Sequence, residues 1–321
     1  MTKATERLAR AALAVAAALS PALAARWAEA LFFTPPRPRK SRSLLPPGAE
    51  ALTLQSRFGR VAVWSWGSGP AVYLVHGWGG RAEQLGAFVA PLVARGLRAI
   101  AIDGPGHGAS TGRRSSGVEI GRALADVAAQ LGSPRGVIAH SLGAAAVTFA
   151  VREGLRVERL VFIGAPADPL TWVERFGRRL GLSRAVMAEM RRQSEARIQA
   201  RWEDLPLVAL RGLAQPPPPL LVVHDRDDRE VPWADGAAIA AAWPGARLLE
   251  TSGLGHRRVL RDPAVVASVA SFVAGAEAGA AEDACIHGRS ARDSGCEACL
   301  LEQELFVPAR RRQATPALAQ R

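Results

Sequence analysis

The chain has 321 residues, 49% of them hydrophobic, and carries 41 Lys and Arg against 29 Asp and Glu, a formal net charge of +12. That apolar share supports a sizeable core and excludes global disorder. The first 60 residues hold ten basic and three acidic side chains, about +7 of the total, so the excess is not a stripe on the body of the protein. Basic residues interleaved with aromatics on one element are missing, which speaks against nucleic-acid recognition.

All three cysteines follow residue 284, so no disulfide staples the body. This points to a reducing compartment and a cytoplasmic location. The N-terminus leaves an alternative open. Lys3, Arg7 and Arg10 precede an apolar run over 11–25, interrupted at Ser20-Pro21. With Ala22-Leu23-Ala24 after it, this fits a secretory signal and export. The helical pattern, however, continues through Trp27 and Glu29 to Phe33 and stops at Pro35-Pro36. It favours an amphipathic helix over 1–34, packed on the domain. The run is too short and alanine-rich for a membrane span, and membrane association through this helix is not the favoured reading.

Residues 35–50 read as a Pro/Arg-rich linker. Strand patterns begin at 51. Residues 52–57 and 61–66 predict two antiparallel strands around Phe58-Gly59, and 71–75 is a short apolar run like a buried parallel strand. Helices over 81–94, 116–131 and 142–153 then alternate with strands over 98–102, 136–139 and 159–163. Repeated βα units imply a parallel sheet with helices on both faces. Residues 167–214 are helical in pattern, anchored by Trp172, Phe176, Met187, Met190 and Trp202, and end at the prolines of 216–219. The sheet resumes at 220–223 and 247–250, with helices over 233–243 and 263–274. The core is thus 51–275, and 276–321 is a tail of different composition.

In Ala139-His140-Ser141-Leu142-Gly143 a serine stands at a strand-to-helix junction between two small residues. Such a turn presents a hydroxyl to a base and to substrate, a nucleophile elbow. His76-Gly77-Trp78-Gly79-Gly80 follows an earlier strand, where a glycine-rich turn frees backbone amides for a developing negative charge. The oxyanion donors expected are the amides of Trp78 and Leu142. His256 lies in Ser252-Gly253-Leu254-Gly255-His256, just after the last strand, and is the expected base. His76, His107, His140 and His224 read as structural. The acid that orients the base is sought in Asp225, Asp227 and Asp228. Asp228, three residues before Val231-Pro232, is preferred and Asp227 is the runner-up.

These motifs, with Asp103-Gly104-Pro105-Gly106-His107-Gly108, stand in an order that resembles the α/β-hydrolase superfamily over about residues 50–275. The resemblance implies an eight-stranded, mostly parallel sheet, a helical cap at 167–214 and a Ser141–His256–Asp228 triad. It implies a serine hydrolase that cleaves a carboxylic ester, or a related small-molecule acyl compound, through an acyl-enzyme, with no cofactor for catalysis. C–C bond, thioester and amide hydrolases, and a non-catalytic binding relative, use the same scaffold. Two departures stand out. Ala139 replaces the usual first glycine of the elbow, and Asp225 stands where many relatives have glycine and can compete for His256.

In the tail, Cys285, His287, Cys296 and Cys299 offer a Cys3His donor set for a structural zinc ion. A reducible Cys296–Cys299 pair and plain thiols are the alternatives. No sequence feature specifies an oligomeric state.

Overall fold

The computed structural model describes residues 3–36, 45–210, 212–213 and 216–275. The tail, with Cys285, His287, Cys296 and Cys299, lies outside the described residues, as do 37–44 of the linker. Among the described residues no cluster of His, Cys, Asp or Glu is placed to hold a metal ion.

Two helices open the chain, α1 (Lys3–Leu19) and α2 (Pro21–Phe32), where one was expected. The break follows from Pro21. Proline offers no amide and forces the residue before it out of the helical region, and Ser20 is extended at φ −164°. Pro21 then occupies the first position of α2, where a missing amide costs nothing.

The strands are β1 (Glu50–Ser56), β2 (Gly59–Trp66), β3 (Ala71–Val75), β4 (Arg98–Ile102), β5 (Pro134–His140), β6 (Arg159–Ile163), β7 (Leu220–Asp225) and β8 (Arg247–Thr251). They form one eight-stranded sheet in the order β1-β2-β4-β3-β5-β6-β7-β8. β1 pairs antiparallel with β2, and β2 with β4; the remaining pairs are parallel. Every residue of β3 and β7 is buried, the pattern of strands covered on both faces.

The core lies in two layers because side chains alternate along each strand. Tyr73, Val137 and Phe162 face α4 (Gly117–Leu131), α5 (Leu142–Arg152) and α8 (Trp233–Ala242) through residues such as Leu124, Val147 and Ile239. Leu74, Ile138 and Val161 face the other way. They meet Leu92 of α3 (Val89–Val93) and Val269 and Phe272 of α10 (Pro263–Ala274). The expected helix over 81–94 is mostly a 3-10 segment, Ala82–Phe88, with only Val89–Val93 α-helical. Gly86 weakens an α-helix there, and the Ala82 amide is taken by Asp103 Oδ1 at 2.8 Å.

The cap is two helices, α6 (Leu170–Leu180) and α7 (Arg184–Ile198), and a short turn at Trp202–Asp204. The described residues between 205 and 213 are not helical, although a helical pattern over 167–214 was expected. Pro206 interrupts the run, and Arg152 satisfies the carbonyls of Asp204, Pro206 and Ala209 that a helix would have bonded internally.

The N-terminal helices pack on the cap. Leu13, Ala16, Ala24, Ala25 and Ala28 share a core with Val173, Met190 and Trp202. Phe176 stands edge-on to Phe32 with ring centroids 5.0 Å apart. Glu29, only 4% exposed, pins the assembly: it binds Arg114 of the core at 3.0 Å and Arg197 of α7 at 2.5 Å. Arg197 also binds Glu119 of α4 at 2.7 Å. The expected packing of the N-terminal segment is therefore present. No helix among the described residues is long and apolar enough to cross a membrane.

Removing one partner of a buried ionic cluster leaves the others uncompensated, at about 3 kcal/mol. Glu29→Ala should therefore lower the urea midpoint clearly, while Glu158→Ala, which loses an exposed pair with Arg135, leaves it almost unchanged. Equal midpoints for wild type and Glu29→Ala would contradict the pin.

Candidate active site

β5 ends at His140 and α5 starts at Leu142, so the whole turn between them is Ser141. Its backbone sits at φ 52°, ψ −124°, one of two described non-glycine residues at positive φ. A non-glycine residue there costs on the order of 1–3 kcal/mol and persists only where its surroundings dictate it. Here the Ser141 amide donates to the Ile163 carbonyl at 2.9 Å, and its carbonyl accepts from Ala144 at 3.0 Å. Gly143 admits the close approach: a Cβ there would lie 2.7 Å from the His76 carbonyl oxygen. The methyl of Ala139, in the position of the usual glycine, is fully buried in the core layer.

The second half of the site lies past β7 and β8. His256, on the one-turn helix α9 (Gly255–Arg258), has Nδ1 2.7 Å from Asp228 Oδ2. The other oxygen of Asp228 accepts the amides of Glu230 at 2.8 Å and Val231 at 2.9 Å. Burial raises the Asp228 carboxyl, but the bonds from His256, Val231 and Glu230 outweigh it and hold the pKa below the ordinary value. An ionised Asp228 fixes the proton on Nδ1 and leaves Nε2 free to accept one.

The neighbouring acids are occupied elsewhere. Asp225 accepts from Thr251 Oγ1 at 2.7 Å, the Leu254 amide at 3.0 Å and the Asp227 amide at 3.0 Å. Asp227 accepts from Ser252 Oγ at 2.9 Å and the Gly253 amide at 2.7 Å. Both shape the loop that carries His256, and neither is bonded to its ring. The expected competition from Asp225 is replaced by a structural role.

The remaining described histidines each make a structural bond. His76 accepts the Gly104 amide at 3.0 Å and donates to the Gly77 carbonyl at 2.7 Å. His107 accepts the Gly79 amide at 3.1 Å and donates to the Pro105 carbonyl at 2.9 Å. Together they brace the turn of Trp78, whose ring lies edge-on to His107. His140 donates to the His256 carbonyl at 3.0 Å, tying the elbow to the loop opposite, and His224 donates to the Val231 carbonyl at 3.1 Å. Among the described residues, the amides of Trp78 and Leu142 donate to no protein acceptor.

Ser141, His256, Gly77 and Trp78 line one cleft of about 680 Å³, whose rim carries Arg257, Arg258 and Arg261. Trp78 and Trp172 also line an adjoining cavity of about 280 Å³, walled by Leu142, Phe32, Phe33 and Trp202. Of the expected anchors, Trp172 and Trp202 border this cavity, while Phe176, Met187 and Met190 belong to the core beneath the N-terminal helices.

Three residues escape sequence reasoning. Gly164, at φ 57°, ends β6 beneath the pair: a Cβ there would lie 3.1 Å from His256 Nδ1 and 3.4 Å from Asp228 Oδ2. The Gly-Ala-Pro sequence at a strand end was the available signal. Phe32 and Phe33 reach the cavity from more than 100 residues before Ser141, and only the packing of α2 places them.

Burial lowers His76 to about 4, His107 to about 4 and His140 to about 3, against an ordinary 6.5. The unfolded chain therefore takes up protons below about pH 6.5 that the folded chain refuses, and stability falls as pH drops toward 4. The urea midpoint should be lower at pH 5 than at pH 7.5, with a smaller difference in His140→Gln. A midpoint that rises on acidification would contradict this.

The α/β-hydrolase family model matches residues 72–269. No curated protein matches the sequence. Among solved structures, an esterase from Exiguobacterium antarcticum is 17% identical with a TM-score of 0.54, over 70% of this chain and 99% of that one. The carboxylesterase CesB from Bacillus subtilis is 19% identical with a TM-score of 0.53, over 79% of this chain and 99% of that one. A bromoperoxidase from Bacillus anthracis is 19% identical with a TM-score of 0.50, over 70% and 99%. At these identities the structural likeness concerns the fold. The family match spans well over half of the chain, and with the eight-stranded sheet and the Ser141 turn at the end of β5, it makes this protein a member of the α/β-hydrolase family.

Proposed function

We propose that the protein is a serine hydrolase that cleaves a carboxylic ester, with Ser141 as nucleophile, His256 as base and Asp228 as the acid that orients it. The observation that carries this is the positive-φ turn at Ser141 sharing one cleft with a His256 whose ring is held by Asp228. A serine hydroxyl attacks a carbonyl only when a base takes its proton, and a base is effective only in the correct tautomer. Asp228 fixes that tautomer and stabilises the imidazolium formed during attack.

In this reading the carbonyl carbon bonds to Ser141 Oγ as the proton passes to His256 Nε2. The negative charge on the former carbonyl oxygen is met by the amides of Trp78 and Leu142. The imidazolium then protonates the leaving alcohol, leaving an acyl-enzyme. A water deprotonated by His256 attacks the acyl carbon, and Ser141 regains its proton. The acyl chain takes the apolar cavity beside Trp78 and Leu142, and the alcohol portion lies in the cleft bordered by Arg257, Arg258 and Arg261. The esterase from Exiguobacterium antarcticum and the carboxylesterase from Bacillus subtilis, which share the fold, are the reason to put an ester before a thioester or amide.

A panel of variants tests the assignment on p-nitrophenyl esters. Ser141→Ala and His256→Ala should lower kcat by at least about a thousandfold, and Asp228→Asn by about as much, with melting temperatures retained. Asp227→Asn should cost less than about tenfold, since that carboxylate touches the loop and not the ring. A larger loss at Asp227 than at Asp228 would reassign the acid. Thioester and amide substrates turned over faster than esters would reassign the substrate class.

A further inference from the structure

Among the described residues seven large hydrophobic side chains are exposed, and five of them lie within the first 31 positions. On α1 these are Leu8, Val15 and Leu19, at 72%, 64% and 76% exposure. Their spacings of seven and four residues put them on one helix face, away from the buried Leu13 and Ala16 that meet the cap. Trp27 and Leu31 extend the exposed apolar surface onto α2. Leaving Leu and Val side chains this exposed on two well-packed helices is a cost that a soluble face has no reason to carry.

The charges around this surface have one sign. The acids of α1 and α2 are both neutralised from the inward side: Glu6 is held by Arg179 of the cap, with one contact at 2.7 Å, and Glu29 is buried between Arg114 and Arg197. Arg7 and Arg26 are exposed, while Arg10 turns toward Gly181 of the cap. An apolar stripe flanked by arginines, on a helix too polar and short to span, is the arrangement that lies flat in the interface of an anionic bilayer.

We infer that the outward face of α1 and the adjoining part of α2 form a docking surface for an anionic lipid membrane. Leu8, Val15 and Leu19 enter the headgroup–acyl boundary, and the arginines contact lipid phosphate. The helical pair ends on Phe32 and Phe33, which wall the apolar cavity. Docking therefore brings one wall of that cavity close to the bilayer, where apolar acyl compounds concentrate. This inference departs from the expectation that membrane association is the lesser reading of this segment, and it rests on the exposure of the outer face.

Cosedimentation of the full chain with vesicles tests this without any measure of activity. With equimolar phosphatidylglycerol and phosphatidylcholine at low salt, the bound fraction should exceed that with pure phosphatidylcholine by at least about tenfold in partition coefficient. The triple variant Leu8→Ser/Val15→Ser/Leu19→Ser should bind anionic vesicles about tenfold more weakly or less, with an unchanged melting temperature. Arg7→Glu/Arg26→Glu should weaken binding and flatten its salt dependence. Three results would overturn the inference: no cosedimentation of the wild type, wild-type binding by the triple variant, or a wild-type dimer in sedimentation velocity that the triple substitution converts to monomer.

Discussion

The bond between His256 Nδ1 and Asp228 Oδ2 joins two loops 28 residues apart, and most of the surrounding architecture serves to hold it. Asp228 is fixed by the amides of Glu230 and Val231, and Val231 in turn is held by His224. The loop carrying His256 is shaped by Asp225 and Asp227 and is tied through its carbonyl to His140. Gly164 leaves room beneath the pair that a methyl would compress. His140, His224 and amides donated to carboxylates do this positioning, and Asp228 supplies the charge beside the His256 ring. In a partly dry site such a charge keeps its influence on the imidazole, where in water it would be screened.

Ser141 faces this pair through a backbone that an L-residue adopts at a cost. The two central strands on either side supply the compensation. β5 and β6 are paired along their length and buried on both faces, and the Ile163 carbonyl at the end of β6 takes the Ser141 amide. Rigid layers on both faces of the sheet convert a local strain into a fixed presentation of the hydroxyl. The N-terminal helices and the cap add a softer part: an apolar cavity whose walls come from α2, α6 and the region near the elbow. In the proposed reading the chemistry sits on the sheet and the selection of substrate on the elements above it, as expected where a site is grafted onto a common scaffold.

The central strands were legible because a strand buried on both faces is a short continuous apolar run, and β3, β4, β6 and β7 are such runs. The proposed site residues stand in turns that the sequence marks: Ser141 follows β5 two residues before Gly143, Trp78 lies between Gly77 and Gly79, and His256 follows Gly255. What escaped has physical reasons. Ala82–Phe88 has helical composition, but Asp103 from another element claims its first amide. The second half of the cap has helical composition too, but Pro206 and Arg152 divert its backbone. The break at Pro21 was written in the sequence and read only as an interruption. Asp225 was read as a rival of Asp228, since a sequence shows which acids are near a histidine and not which amides occupy them. Phe32 and Phe33 depend on long-range packing, which no local pattern encodes.

The central claim is that Ser141 is a nucleophile activated by the His256–Asp228 pair, and the site of covalent labelling tests it most directly. A fluorophosphonate should add one phosphonyl group per chain, located by peptide mass spectrometry on Ser141, and labelling should be lost in both Ser141→Ala and His256→Ala. Stoichiometric labelling at another residue, or undiminished labelling of Ser141 in His256→Ala, would contradict the account.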